Sequence, residues 1–369
     1  MKKVVVGLSG GVDSAVAAYL LKESGYEVTG VHLNLVGNTE GDAAKAVAEH
    51  LGIGYKELDF REDFQKSVKE YFVTEYLAGR TPNPCCRCNR IIKFEKLLEW
   101  AQKNEIEYLA TGHYAKIIES PMEEGRFTVR LADCISKDQT YVLYALSQEQ
   151  ISRIVMPLGS YSKEEVRKIA EEVKIPVAAK KDSQDVCFIP DGDYVKYIRE
   201  YINEYNPSAK DVIPGPGNFL NTEGKIIGKH KGYINYTIGQ RRGLEIAAGH
   251  RIFVKSIDPV KNEVVIADED VFGTELTACD MNWLAVGQNS FDKDTRLFAK
   301  IRYAHKGEWC RIECMEVENQ ATCSSENSQT LKYKVCFENP VRAITPGQPI
   351  VFYNSDAADK YIVAGGTID

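Results

Sequence analysis

The hexapeptide Ser9-Gly10-Gly11-Val12-Asp13-Ser14 constrains this chain more than any other segment. Lys3-Val4-Val5-Val6-Gly7-Leu8 precedes it and reads as a buried strand. Residues 15–24 follow, with Val16, Tyr19 and Leu20 at helical spacing and Gly25 as a stop. Strand, glycine turn and helix start in immediate succession impose an α/β unit and make an anion site. Glycines let the backbone approach closely, the first helical N–H groups point outward, and the helix dipole favours negative charge. Ser9 and Ser14 offer hydroxyl donors, and Asp13 is placed to hold Mg2+ against a polyphosphate.

The pattern Gly-x-x-x-x-Gly-Lys-Ser/Thr is absent, and with it the lysine that cradles a transferred γ-phosphate. SGGVDS instead resembles the signature of the ATP pyrophosphatases. In that family the loop holds the departing pyrophosphate while a substrate oxygen takes the AMP.

Strand and helix continue to alternate up to about residue 115. Residues 27–35, 55–60 and 108–114 read as strands, and 42–51, 62–77 and 90–102 as helices. This order predicts a parallel sheet covered on both faces, with ligands at the carboxyl ends of its strands. The SGGVDS loop and Thr111-Gly112-His113 both fall at such ends. Residues 140–203 read mainly as helices, among them 162–173 and 193–202, with a polar loop at 181–190 between these two. Near Asn206 the texture changes to Pro207 and Pro214-Gly215-Pro216-Gly217, then to short strands. Residues 254–257 and 263–266 look like a hairpin, and the alternation around 297–303 suggests a small barrel. The expected organisation is a catalytic α/β domain with a helical extension at 1–203, a basic β-rich domain at 204–277 and a β-barrel at 278–369. Residues 316–330 read as a polar surface loop.

A chain of 369 residues exceeds one typical core, in line with several domains. Its net charge of −7 gives no global sign of nucleic-acid binding, so any basic surface must be local. Such a surface is visible between Asn206 and Lys255, where Lys and Arg clearly outnumber Asp and Glu. Tyr233, Tyr236 and Gly239-Gln240-Arg241-Arg242-Gly243 lie inside it, a composition suited to RNA backbone and shape. No stretch approaches a membrane span, so no membrane partner is expected. Ten cysteines without a secretory pattern point to a reducing cytoplasm, where thiols are metal ligands, catalysts or core fillers.

The second strong segment is Thr81-Pro82-Asn83-Pro84-Cys85-Cys86-Arg87-Cys88-Asn89. Two prolines favour an extended chain, and Asn89 is a candidate cap for the following helix. That places Cys88 at a helix N-terminus beside Arg87, Arg90 and Lys93, where its thiol pKa should fall. Cys85 and Cys88 also form a C-x-x-C that suits a metal. Cys310 and Cys314 share one face of a strand with Ile312 and read as core. Cys187, in its polar loop, is the natural third thiol, with burial as a small core residue equally open.

SGGVDS, TPNPCCRCN with RIIKF, ATGHYA, KDQTYVL, DSQDVCFI, GKHKGYINYTIGQRRGL and RYAHK occur in this order along the chain. The ordered set resembles the tRNA-specific 2-thiouridylase family, from Lys3 to about Phe352. The resemblance implies ATP-dependent sulfur insertion at position 2 of the wobble uridine in tRNAs for lysine, glutamate and glutamine. It implies that Gly7, Leu8, Ser9, Gly10, Gly11, Val12, Asp13 and Ser14 bind ATP with Leu33 and Gly112. It implies Cys88 as nucleophile and Cys187 as persulfide carrier. Asn83, Pro84 and Cys85 would lie against the target base. His113, Lys137, Asp138, Gln139, Arg302, Tyr303 and Gln348 would touch the tRNA. A sulfur donor is implied as partner, either a cysteine desulfurase or a sulfur relay protein. The chain departs from the family in three places. The stretch after Leu33 is short, Leu33 replaces a usual methionine, and Cys85 stands where many members carry aspartate. The last raises an alternative route through a [4Fe–4S] cluster on Cys85, Cys88 and Cys187. Two other classes fit less well. A nitrogen-transferring ATP pyrophosphatase needs no paired thiols, and a non-catalytic RNA-binding protein needs no ATP loop.

Overall fold

The computed structural model describes residues 1–37, 40–178, 186–315 and 331–369. Its first sheet grows from β1 (Lys3–Gly7), whose Val4, Val5 and Val6 are wholly buried. A run apolar at consecutive positions needs cover on both faces, and a central parallel strand provides it. β2 (Glu27–Asn34) and β3 (Gly54–Asp59) extend the sheet on one side. β4 (Tyr108–Ala110) and β7 (Ile154–Val155) extend it on the other. The order is β3-β2-β1-β4-β7, parallel throughout. Between β4 and β7 comes the hairpin of β5 (Ala115–Glu119) and β6 (Phe127–Leu131), which the hydrophobic pattern did not reveal.

Helix α1 (Val12–Glu23) buries Ala15, Val16, Ala17 and Ala18 because it is covered twice, by the sheet and by α8 (Lys163–Glu172). Ser162 and Glu165 form a capping box that starts α8, and Val166 and Ala170 pack into the core of α1. This contact directs the first residue of α8 toward the SGGVDS loop.

The 81–89 segment folds differently from its sequence reading. Helix α5 (Pro84–Cys88) starts one turn early, with Pro84 at its first position and the Asn83 side chain accepting from the Cys86 N–H at 3.3 Å. Asn89 is not a cap. It continues the helix in a π-helical stretch, Asn89–Lys96, that runs on into α6 (Leu97–Lys103). Cys88 therefore lies within a continuous helix.

After α9 (Tyr194–Tyr205) comes a four-stranded sheet of β8 (Gly217–Leu220), β9 (Ile226–His230), β10 (Phe253–Asp258) and β11 (Glu263–Ala267). The hairpin expected at 254–266 is β10–β11. Tyr233 and Tyr236, placed on an RNA-facing surface by their basic surroundings, are core residues 6% and 5% exposed; Tyr236 packs on Phe219 and His230. The remaining strands close a six-stranded barrel from β12 (Phe272–Trp283) to β17 (Ile362–Ile368). Cys310 and Ile312 are buried in it as expected, whereas Cys314 is exposed near the strand end. Barrel residues Val351, Tyr353 and Ile362 share one core with Phe94, Leu97 and Tyr141 of the α/β domain. Residues 316–330 and 181–185 lie outside the described residues. No helix among those described is long and apolar enough to cross a membrane.

Candidate active site

The loop after β1 has the geometry of an anion cradle. Gly10 has φ +67°, and a Cβ there would approach the Glu40 carbonyl to 2.9 Å, so glycine is required. Gly11 precedes α1 in extended conformation, and no side chain caps the helix start. The two serines divide their work. Ser14 is buried; its Oγ accepts from the Ser9 N–H at 3.2 Å and donates to the Gly11 carbonyl at 3.1 Å. Its hydroxyl shapes the loop, and the Ser9 hydroxyl, 3.2 Å from Ser14 Oγ, is the exposed one of the pair.

Asp13 is engaged in a way its sequence did not disclose. Both carboxylate oxygens lie 2.8 Å from Lys163 Nζ, and Tyr114 donates its hydroxyl to Oδ1 at 2.7 Å. A Mg2+ ion held by Asp13 would share this carboxylate with the Lys163 ammonium and the Tyr114 hydroxyl. The cation missing from the loop's own sequence is supplied by α8, 150 residues away in the chain.

Gly112, at the end of β4, lies directly over the start of α1. A Cβ there would come within 2.7 Å of the Ser14 nitrogen and 2.8 Å of the Asp13 carbonyl carbon. Gly112→Ala is therefore expected to lower stability by about 1–3 kcal/mol through overpacking. The shift is read as a fall in Tm, with weaker ATP binding; an unchanged Tm would show that the backbone yields without strain. Leu33, at the end of β2, is half-buried against two of the cores.

The candidate thiols differ in access and environment. Cys187 is exposed, and the chain after it is anchored by Phe188, whose ring lies 5.6 Å from Phe64, 5.4 Å from Phe72 and 5.1 Å from Tyr197. Burial and then the charge of Cys85 push the Cys187 thiol up, Lys93 pulls it down, and Glu40 adds to the rise. Glu40 is also the residue whose carbonyl abuts Gly10 in the anion loop. Cys88 is 7% exposed, and its thiol is pushed up to about 12 by burial, with smaller contributions from Cys187 and Cys85 against Lys93. The expected lowering fails because Cys88 is neither at the helix start nor open to solvent. Arg87 is turned away, with Nε donating to the Ser67 carbonyl and its guanidinium over Tyr71 at 4.4 Å.

At neutral pH a thiol with a pKa near 12 is ionised to only about one part in 10⁵. Iodoacetamide at pH 7 is thus expected to label exposed Cys85 well before Cys88. Labelling of Cys88 should accelerate as pH rises toward 12, measured by peptide mass mapping. Equal labelling at pH 7 would place a stable thiolate at Cys88.

The cluster alternative does not fit. Among the described residues no three His, Cys, Asp or Glu side chains are grouped to hold a metal ion. Cys88 is buried while Cys85 and Cys187 are exposed.

The RNA-directed residues fall into two kinds. Lys137 and Tyr303 are exposed, with the Tyr303 hydroxyl donating to the Asp138 carbonyl at 3.1 Å. The others serve the scaffold as well. His113 bonds Thr111 through Nδ1 at 2.7 Å, and burial with Lys93 holds its pKa down to about 3, so it is neutral. Gln139 accepts from the Tyr114 N–H at 3.0 Å, and the Asp138 side chain accepts from Thr140 Oγ1 at 2.8 Å. Arg302 donates to the Ala343 carbonyl at 3.2 Å. Gln348 donates to the Thr81 carbonyl at 2.7 Å and thereby ties the barrel to the segment leading into α5. Pro84 is buried, and Asn83 is spent on its cap. Lys163 and Tyr114 are the site residues that sequence reasoning missed.

The comparisons with known proteins agree with this layout. The model described as the tRNA methyl transferase HUP domain matches residues 2–191. The tRNA methyl transferase PRC-barrel domain matches 200–268, and the aminomethyltransferase beta-barrel domain matches 273–368. The tRNA-specific 2-thiouridylase MnmA of Lachnoclostridium phytofermentans is 44% identical, over 100% of this chain and 99% of its own. The protein of that name from Clostridium acetobutylicum is also 44% identical, over 100% and 99%. With one family model matching residues 2–191 and relatives of that name 44% identical over the whole chain, the chain belongs to the tRNA-specific 2-thiouridylase family.

Proposed function

We propose that this protein installs sulfur at position 2 of the wobble uridine in tRNAs for lysine, glutamate and glutamine, using ATP. The observation that carries the reading is a glycine anion loop at the start of α1 in the same chain as the Cys88 and Cys187 thiols, a chain 44% identical over its length to a tRNA-specific 2-thiouridylase. Cys187 feels the charge of Glu40, which borders the anion loop, and also that of Cys85. ATP lies with its β- and γ-phosphates on the loop formed by Gly7 to Ser14. Uracil O2 attacks the α-phosphate, pyrophosphate departs, and O2 becomes part of a good leaving group. The terminal sulfur of a Cys187 persulfide then attacks C2, and AMP leaves with the old oxygen. Cys88 gives its proton to solvent and attacks the Cys187 sulfur; the bond between Cys187 and the transferred sulfur breaks, leaving 2-thiouridine and a Cys88–Cys187 disulfide. Lys93 acts on both thiols and so favours their anionic forms. A neutral His113 serves as a hydrogen-bonding group rather than a phosphate counter-ion. A sulfur-donating protein reloads Cys187, which its exposure permits.

The direct test incubates persulfide-loaded protein with ATP and unmodified tRNA, then measures 2-thiouridine, AMP and pyrophosphate. Equal yields of the three are expected. Thiolation without pyrophosphate release would sink the adenylation step.

The basic segment gives an independent check. Arg241 and Arg242 are exposed. Reversing both charges is expected to weaken tRNA binding and flatten its salt dependence. Each lost phosphate contact removes about 0.9 from the slope of log K against log salt for a duplex, or about 0.7 for single strands. An unchanged slope means that the pair faces solvent in the complex.

A further inference from the structure

Cys85 has no task in the scheme above, yet its setting is that of a redox partner. Cys85 and Cys88 are both in α5, three positions apart, so their side chains share a face one turn apart. Helical geometry separates the β-carbons of such a pair by about 5–6 Å. A disulfide needs about 3.5–4.5 Å, so a modest tightening of the first turn closes the gap. The α-helical hydrogen-bond ladder ends there, since the helix passes into a π-helical stretch at Asn89, immediately after Cys88. The two thiols are unlike in access, Cys85 exposed and Cys88 buried. Cys86, between them, points away into the core that holds Tyr141 and Tyr144. Cys85 acts electrostatically on both Cys88 and Cys187.

We propose that Cys85 is the resolving thiol of the catalytic cycle, exchanging the Cys88–Cys187 disulfide for a Cys85–Cys88 disulfide. The step rests on the sulfur-transfer route proposed above. The Cys85 thiolate, its proton given to water, attacks Cys88 Sγ. The Cys85–Cys88 bond forms, the Cys88–Cys187 bond breaks, and Cys187 leaves as a thiolate that takes up a proton. Cys187 is thereby returned for reloading before any external reductant has acted. An external dithiol then attacks the exposed Cys85 sulfur and closes to its own cyclic disulfide, restoring both protein thiols. Because attacker and target share one helical turn, the exchange is intramolecular and outpaces attack by a dilute reductant. A bond across a helical turn is also strained enough to be readily reduced.

The test has two arms. In the first, the Cys187→Ser protein, without ATP or RNA, is equilibrated in mixtures of oxidised and reduced dithiothreitol. It is then quenched with acid, alkylated and mapped by mass spectrometry. A Cys85–Cys88 disulfide is expected to appear as the mixture becomes more oxidising. Absence of that bond in protein that remains folded overturns the proposal, and this arm needs no thiolation activity. In the second arm, wild-type protein is quenched during repeated turnover with dithiothreitol limiting. Cys85–Cys88 is expected as the main disulfide, lost in Cys85→Ser protein, where Cys88–Cys187 accumulates. Wild-type protein that accumulates Cys88–Cys187 overturns the relay even if the first arm succeeds. If the first arm succeeds and no disulfide of either kind forms in turnover, both the relay and the two-cysteine route above fall, and the adenylation reading is untouched.

Discussion

Cys187→Ser protein is expected to adenylate tRNA and make no 2-thiouridine. A hydroxyl cannot carry a second sulfur, so the loss falls on transfer and not on activation. The reduction in thiouridine formation should reach roughly 10⁴-fold or more, as for removal of one member of a nucleophilic unit. Cys88→Ser should lose thiolation as severely but for another reason. The persulfide still attacks C2, and the sulfur then lacks the Cys88 thiol that detaches it from Cys187. The two variants therefore separate at the intermediate. Cys88→Ser is expected to retain tRNA covalently bound through Cys187, released by added dithiol, while Cys187→Ser retains none. Since Cys88 is 7% exposed within a core that includes Ile92 and Phe188, the near-isosteric serine is preferred to a larger residue. Normal 2-thiouridine from either variant would remove the two-cysteine route.

Much of the fold was legible because its signals are local. SGGVDS lies between a strand and a helix that each declare themselves within ten residues, and Ser162 with Glu165 announces α8 in the same way. β7 was not legible. Two residues, Ile154 and Val155, become a strand only because β4 lies alongside. The start of α5 was in view but misread. Asn83-Pro84 is a cap followed by a first-turn proline, and Asn89 offered a competing cap one turn later. That error carried the pKa of Cys88 with it, since a helix N-terminus lowers a thiol pKa whereas the burial that Cys88 meets raises it. Tyr233 and Tyr236 were misplaced because charged neighbours in sequence say little about which face of a short β segment is covered. The Asp13–Lys163 pair could not be read at all. It exists because α8 packs across α1, a tertiary fact with no local trace.

That pair sets the second large effect, loss of adenylation in Asp13→Ala protein. Lys163, its side chain 12% exposed, is held at the loop by two 2.8 Å contacts to Asp13, which is itself 31% exposed. Removing the carboxylate takes both of these contacts from a largely buried ammonium group, at the place where an ATP polyphosphate would lie. Catalysis that depends on a preorganised charge typically falls about 10²–10³-fold when that charge is displaced. Lys163→Met should give a loss of the same order by deleting the cation itself. Asp13→Ala with Lys163→Met together should lose no more than the worse single change, because both act through one contact. Folding and function are separated by the response to ATP. Saturation at 100 times Kd adds about 2.7 kcal/mol to the stability of a protein that binds the ligand only when folded. Wild-type protein is expected to show that rise in Tm, and Asp13→Ala to remain folded and show little of it. tRNA binding should be retained, since its candidate contacts at Lys137, Tyr303, Arg241 and Arg242 lie outside the loop. An undiminished ATP response in Asp13→Ala would show that the Asp13–Lys163 pair only braces α8 and that the polyphosphate is held by the loop backbone alone.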